Sequence, residues 1–236
     1  MSSDNASNPL ERGVRADRGD QTREKLVLAA IDVFGRYGFD ATTTRALAAA
    51  AGVNLQAIPY YFGGKEGLYL AVADHIASQI GAHIADLRAA LQARFEKAEN
   101  QQAPVDNAEA RILLTQLLQR MAALFVSKQS EPWARFMIRE QIAPTEAFQR
   151  VYSCVMQPMF GLVGKLVAIL MNEDPQSERV RLKTLSLVGS VLVFRIAHAA
   201  TMAHLGWEEI GDREVRAVQD LAVELVGSIG TTSGAS

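Results

Sequence analysis

One stretch of the chain, between Thr43 and Lys65, carries side chains suited to contacting nucleic acid. Arginine and lysine neutralise phosphates, hydroxyl groups hydrogen-bond to phosphate oxygens, and a glutamine can read the edge of an adenine. We therefore expect this stretch to contact DNA. The candidate residues are Thr43, Thr44, Arg45, Asn54, Leu55, Gln56, Ala57, Tyr60, Tyr61 and Lys65.

The spacing of three residues inside this stretch predicts a helix-turn-helix. Ala48 is small enough for a close helix crossing, Gly52 permits a turn with positive φ, and Ile58 fills the gap between the helices. Thr43 is placed to cap the first helix, and Asn54 the second. The second helix, exposed along one side, would fit the major groove of B-DNA. An ordinary helical hairpin with a glycine turn has the same pattern, so the spacing alone leaves both interpretations open.

The segment before the hairpin favours the DNA-binding interpretation. Apolar residues at helical spacing after Thr22 predict a helix that ends at Gly38, where glycine adopts a left-handed conformation. This helix would pack behind the hairpin and complete the three-helix core that helix-turn-helix domains require.

The segment from residue 22 to residue 70 resembles the DNA-binding domain of the tetracycline-repressor (TetR) family of bacterial transcriptional regulators. The matching elements are residues 29–34, 35–39, 42–45, 47–48, 51–53 and 61–68. The resemblance implies an all-α homodimer, in which an N-terminal three-helix DNA-binding domain precedes a larger ligand-binding and dimerisation domain of about nine helices. It further implies repression at a palindromic operator in double-stranded DNA, with a small-molecule effector releasing the protein.

Two positions depart from the family pattern. Pro59 stands where the family usually has a phosphate-contacting tyrosine, and it predicts a kink or a tightening of the recognition helix. Phosphate anchoring would then depend on Tyr60, Tyr61 and Lys65. Gln56 stands where the family often has glycine or alanine, and we expect it to read a base.

Composition and resemblance together divide the chain into four segments. We expect a flexible tail over residues 1–20, the DNA-binding domain over 21–67, the sensing and dimerisation domain over 68–228, and a disordered tail over 229–236. The first tail contains Arg12, Arg15 and Arg18, which would either neutralise phosphates or stay solvated beside neighbouring acidic residues.

The second half of the chain resembles one TetR subfamily more narrowly. Residues 133–141, Pro144, 189–195 and 205–207 carry this likeness, and the best-known member of the subfamily is a bacterial regulator linked to chloramphenicol and cephalosporin sensitivity. The resemblance implies control of transport, efflux or xenobiotic-response genes. It does not identify the effector.

Charged residues within apolar helices suggest where an effector would bind. A charge in such a setting must be paired or must face a polar cavity. The candidate pocket residues are Trp133, Phe136, Met137, Arg139, Glu140, Met156, Met159, Phe160, Arg195 and His198. The alternative is that the arginines form structural ion pairs, with Glu140 for example, while the methionines and aromatic residues fill the core.

The last two long helices are the expected dimer interface. Apolar residues repeat at three- and four-residue intervals on both helices, and small residues allow close approach of a partner helix. The residues are Leu182, Leu185, Val188, Leu192, Ile196 and Ala199, then Val215, Val218, Leu221, Val223 and Leu225, with small residues Gly189, Ser190, Ala197 and Ala200. Burial within one subunit is the alternative for part of this surface.

A long helix from Lys65 to Glu99 is expected to connect the two functions. It would begin beside the DNA and end in the sensing domain. We expect a bound effector to shift this helix. The distance between the two recognition helices of the dimer would then no longer match the DNA.

Other function classes find little support in the sequence. The chain has 236 residues and a formal net charge of −2, so any DNA-binding surface must be local. The spacing of metal ligands is not found among the histidines, which are His75, His83, His198 and His204. The sequence also has no nucleotide-binding loop and no nucleophile motif. We therefore expect neither enzyme activity nor a cofactor. The single cysteine, Cys154, predicts an inert core thiol, and the absence of a signal peptide predicts a cytoplasmic protein without membrane contacts. A helical small-molecule carrier without a DNA role is the alternative.

Overall fold

The structure is a computed structural model that describes residues 9–101 and 103–230, and this part of the chain is all-helical, as predicted. A 3₁₀ turn at Lys128–Ser130 and a π-helical turn at Tyr152–Met156 interrupt the α-helices. The helices are α1 Pro9–Ala41, α2 Thr44–Ala51, α3 Ala57–Phe62, α4 Lys65–His83, α5 Ala85–Gln101, α6 Asn107–Val126, α7 Glu131–Ile142, α8 Glu146–Val151, α9 Gln157–Met171, α10 Glu178–Ile196, α11 His198–Leu205 and α12 Asp212–Gly227.

Two compact units make up the chain. The first contains the chain up to Ile76 together with Arg135–Arg150, and the second contains Ala77–Ala134 and the chain from Val151 onward. The expected boundary after residue 67 falls inside α4. The first unit extends further because Tyr69 of α4 packs edge-to-face against Phe34 of α1, with ring centroids 4.8 Å apart.

Helix α1 begins at Pro9, so residues 9–20 are helical rather than part of a flexible tail. Most residues in this stretch are compatible with a helix even without an apolar face to bury. The side chains of the three tail arginines, and residues 1–8 entirely, lie outside the described structure. Gly38 has φ 80°, which breaks the helical geometry at the predicted position.

Helix α6 forms the centre of the second unit. The Asp106 side chain caps it by accepting a hydrogen bond from the Glu109 N–H at 2.8 Å. Its buried face packs against α9, α10 and α12. At the end of the described chain Ile229 is buried, so the ordered chain passes the predicted start of the C-terminal tail, while residues 231–236 lie outside the description.

Two helices expected to be continuous are broken. The helix predicted from Lys65 to Glu99 is divided at Ile84, whose N–H bonds to the Gly81 carbonyl three residues back, in a 3₁₀ manner. The helix expected to carry Leu182 to Ala199 bends by 82° between α10 and α11. Ala197 lies at this bend with φ −97° and ψ 36°, and neither glycine nor proline marks the position.

A third irregularity lies close to Pro158. The π-helical turn at Tyr152–Met156 ends two residues before Pro158, which has no N–H to donate to the preceding turn. Cys154 lies in this turn and is exposed, which corrects the expectation of a core thiol.

The stretch Glu146–Met171 is long and apolar enough to cross a membrane by length and composition alone. Its apolar side chains instead pack inside the second unit, where Val163, Leu166 and Val167 are fully buried. We interpret it as a core segment.

Candidate DNA-binding surface

The helix-turn-helix has the predicted turn and the predicted first cap. The Thr43 hydroxyl accepts a hydrogen bond from the Ala46 N–H at 3.1 Å, which satisfies a free donor at the start of α2. Gly52 ends α2 with φ 64° and ψ 35°, a left-handed conformation that glycine adopts without strain. Ile58 and Ala48 are buried between the helices, as their spacing requires.

Helix α3 begins later than expected. The Asn54 side chain accepts a hydrogen bond from the Gln56 N–H at 2.9 Å, but the helix starts only at Ala57. Asn54 therefore stabilises the turn that precedes α3, while Gln56 itself holds the position before the helix. This corrects the expectation that Asn54 caps the recognition helix directly.

Pro59 fits α3 because it falls in the first turn. The Ala57 and Ile58 N–H groups bond to the Asn54 and Leu55 carbonyls, three residues back, so the chain entering α3 is tightened. The Ile58 N–H thereby bonds to the Leu55 carbonyl, which is the acceptor that a non-proline residue at position 59 would use in an α-helix. The proline consequently removes no hydrogen bond from the helix, and of the two expectations only the tightening is found.

An exposed polar face runs along α3 and the turn before it. Leu55, Gln56 and Tyr60 are exposed, and Tyr60 retains 79% of its accessible surface. Tyr61 is half-buried, because its ring packs edge-to-face on Tyr60 and its hydroxyl lies against Gly19 of α1. Tyr60 is therefore the tyrosine that is free to reach outward, while Tyr61 also supports the helix.

An open cleft of about 870 Å³ lies beside this face. Its walls include Asn54, Gln56 and Tyr60 on one side, and Thr22 and Lys25 of α1 on the other. Lysine 25 is exposed and adds positive charge at the rim. The sequence pattern did not mark Thr22 as a site residue, because it did not show that this turn of α1 lies beside α3.

Lys65 is held by its own chain. Its ammonium donates to the carbonyl oxygens of Phe39 and Thr42, both at 3.0 Å, and lies 4.2 Å from the centre of the Phe39 ring. Two of its three N–H donors are thereby used. Lys65 thereby fixes the chain between α1 and α2 to the start of α4, and the phosphate contact expected of its remaining N–H stays a prediction.

Four of the expected pocket residues lie in the first unit, and two of these have structural partners. Arg139 donates to the carbonyls of Gly35 and Arg36 near the end of α1, at 2.9 and 2.7 Å. Glu140 is buried and accepts hydrogen bonds from the Tyr69 hydroxyl at 2.5 Å, from the N–H and hydroxyl of Thr145, and from the Phe148 N–H. The pocket assignment of Arg139 and Glu140 is therefore corrected.

The other two residues of this group are Phe136 and Met137. Phe136 is fully buried, with its ring centroid 4.8 Å from that of Tyr69, and Met137 is half-buried. Burial and the hydrogen bond to Glu140 raise the pKa of Tyr69, so the hydroxyl stays protonated as a donor. Arg139 and Glu140 thus have structural partners, but these are backbone groups and the hydroxyls of Tyr69 and Thr145 rather than each other.

The remaining expected pocket residues lie in the second unit and are not gathered around one cavity that the structure shows. Arg195 is buried and donates to the carbonyls of Phe125 and Ser127, at 2.6 and 2.5 Å. Its burial lowers the pKa of the guanidinium, while the charge of Glu131 opposes this shift. Trp133 and Met159 are buried, Met156 and Phe160 are half-buried, and His198 is exposed at the start of α11.

Comparison with known proteins agrees with this arrangement. Residues 26–72 match the family of bacterial regulatory proteins called the tetR family, and residues 110–230 match the C-terminal domain of the HTH-type transcriptional dual regulator CecR. The HTH-type transcriptional dual regulator CecR of Shigella flexneri is 34% identical over 203 residues, which are 85% of this chain and 87% of that protein. The HTH-type transcriptional repressor NicS of Pseudomonas putida is 38% identical over 76 residues, 32% of this chain and 36% of that protein.

Solved structures share the fold at low sequence identity. A putative TetR-family transcriptional regulator from Mesorhizobium loti has a TM-score of 0.57 and 19% identity, with 90% of this chain and 96% of that chain covered. The transcriptional regulator FadR of Bacillus subtilis, solved in complex with stearoyl-CoA, has a TM-score of 0.55 and 16% identity, with 88% and 98% covered.

Proposed function

Because the chain belongs to the TetR family of bacterial transcriptional regulators, we propose that it acts as a homodimeric repressor, which binds a palindromic operator and is released by a small-molecule effector. The observation that carries this proposal is the exposed face of α3, presented on a buried helix-turn-helix core. We further propose that the regulated genes serve transport, efflux or the response to xenobiotics, and that the protein works in the cytoplasm, where the bacterial DNA lies.

The assignments on the DNA-binding surface follow from exposure and charge. The Arg45 and Gln56 side chains are exposed and make no hydrogen bond or ion pair within the part of the chain that the structure describes. Arg45 is placed to neutralise a phosphate, and Gln56 to pair with an adenine in the major groove. Thr43, Thr44, Tyr60 and Lys25 surround these two residues as further phosphate contacts, while Lys65 positions the helices from within.

The operator contacts can be separated by their dependence on sequence and salt. Gln56→Ala should relax the base preference at one position of each half-site by about 1–3 kcal/mol. Arg45→Ala should weaken binding to every sequence and should lower the salt slope by about one unit per protomer. Selection of bound fragments from random DNA, followed by gel-shift titrations at several salt concentrations, measures both effects.

Arg181→Ala is the matched control, because Arg181 is an exposed arginine on α10. This variant should bind the selected DNA like the unaltered protein. Binding that shows no sequence preference, or that survives Arg45→Ala unchanged, would refute the proposal and would favour a small-molecule carrier without a DNA role.

An apolar stripe on α10 supports the proposed dimer. Leu182, Leu185, Val193 and Ile196 retain between 46% and 60% of their accessible surface and share one face of the helix. Gly189 lies within this face, and a side chain added there would meet no neighbouring atom, so a partner helix has room to approach. Only part of the expected interface is available, because Val188 and Val218 are buried within the subunit.

Leu185→Glu should therefore turn the dimer into a monomer. A dimer aligns two recognition helices with half-sites about 34–36 Å apart, so the monomer should also lose operator binding. Light scattering coupled to size-exclusion chromatography measures the mass. Ile112→Glu is the control, since Ile112 is equally exposed on α6 and should leave the mass unchanged. A Leu185→Glu variant that remains dimeric would place the interface elsewhere.

A further inference from the structure

A polar cleft in the second unit is formed by α5, α6 and α12. It encloses about 420 Å³ and is lined by Leu87, Gln116, Gln119, Arg120 and Gln219. This volume lies within the range of about 300–1,000 Å³ that is usual for small-molecule sites. None of the pocket residues expected from the sequence takes part in it.

Two glutamines of the cleft are fixed across the junction of α6 and α12. The Gln119 side-chain amide donates to the Gln219 carbonyl at 3.4 Å, and the Gln219 side-chain amide donates to the Gln119 carbonyl at 3.3 Å. Each amide uses one of its two N–H donors in this way. The second N–H and the side-chain oxygen of each make no other hydrogen bond in the described chain, so they remain available to a bound molecule.

Arg120 brings positive charge to the same cleft. Its guanidinium forms no ion pair or hydrogen bond with any residue of the described ranges. Other arginines, such as Arg94, Arg111 and Arg195, donate hydrogen bonds to a carboxylate or to backbone carbonyls. Arg120 thus has a planar set of donors with no acceptor, which suits a carboxylate bound through two parallel hydrogen bonds.

His83 is a buried histidine that interacts with Arg120. Its Nε2 atom is buried and has no hydrogen-bond partner within the described part of the protein. Burial and the charge of Arg120 lower the pKa of His83, although a hydrogen bond with the Arg120 backbone opposes this.

We propose that this cleft binds a small molecule that carries both a carboxylate and an amide. The Arg120 guanidinium holds the carboxylate, the amides of Gln116, Gln119 and Gln219 bind the amide of the ligand, and Leu87 covers its apolar part. That such a molecule is the effector rests on the proposed function, whereas the binding itself does not.

The probes for the test are N-acetylglycine and hippurate, since each joins a carboxylate to an amide. Hippuramide is the uncharged counterpart. In NMR titrations of the full-length protein without DNA, both acids should bind saturably at millimolar concentration and should shift the Arg120 side-chain N–H and Leu87 methyl signals, while hippuramide should not. Arg120→Gln and Gln116→Glu should each weaken binding at least about tenfold, the first by removing the cation and the second by adding a like charge.

Arg181→Gln is the control variant and should bind both acids normally. No saturable binding of either acid, or equal binding by Arg120→Gln, would overturn the proposal. The gel shift on selected DNA is a separate readout: loss of sequence-specific binding by the unaltered protein would refute the proposed function and would leave the carboxylate site standing.

Discussion

Replacing Gly67 with alanine should disrupt the DNA-binding unit and abolish operator binding. A Cβ atom at position 67 would overlap the backbone carbonyl oxygen of Phe62, the last residue of α3. A backbone group cannot rotate away like a side chain, so α3 and the start of α4 would have to separate. We expect a loss of about 3 kcal/mol in the free energy of unfolding, which urea denaturation followed by circular dichroism measures.

Gly81→Ala provides the control in the same helix. A Cβ atom at position 81 would meet no atom within 4 Å, so alanine should raise helix stability by about 0.5–1 kcal/mol through its higher propensity. Operator binding should then be retained. If both alanine variants unfolded at the same urea concentration as the unaltered protein, the close approach of α3 to α4 would be refuted.

The second large effect is expected from Glu140→Ala. This substitution removes the shared acceptor of the Tyr69 hydroxyl, the Thr145 N–H and hydroxyl, and the Phe148 N–H, and leaves donors without partners in the interior. Loss of a buried charge-assisted network costs about 3–5 kcal/mol. Urea denaturation of purified protein measures the loss.

Two further variants, Tyr69→Phe and Glu146→Ala, distinguish the loss of this hydrogen-bond network from the loss of a carboxylate charge alone. Tyr69→Phe removes one of the four bonds and should cost about 1–2 kcal/mol. Glu146 is an exposed carboxylate paired with Arg150, so its removal should cost less than about 1 kcal/mol. A Glu140→Ala variant as stable as Glu146→Ala would contradict the structural role of Glu140.

Local signals explain why the helix-turn-helix could be predicted from the sequence. The Thr43 cap, the positive φ of Gly52 and the buried Ile58 each depend on residues within a few positions along the chain. Glycine and capping residues act through backbone geometry, which the residue type itself constrains. Helix α3 starts later than the capping pattern predicts, because the Asn54 side chain binds the Gln56 N–H in a turn, as a helix cap would in a helix.

The side-chain partners could not be predicted, because they lie far apart in the sequence. Lys65 reaches carbonyls 23 and 26 residues earlier, and Arg139 reaches carbonyls more than 100 residues earlier. A charge in an apolar helix indicates that some partner exists, but not whether it is a ligand or a backbone group. The cleft at Arg120 escaped prediction for the same reason, since its glutamines read as solvated surface.

The division of the chain has a consequence for the order of folding during synthesis. The first unit includes Arg135–Arg150, and Arg139 and Glu140 bond to α1 and α4 from within that segment. Contacts of such long sequence separation form late. We therefore expect the emerging N-terminal segment to stay incompletely folded on the ribosome until residue 150 has left the exit tunnel, so that a nascent chain gains DNA-binding competence only after much of the second unit has been translated.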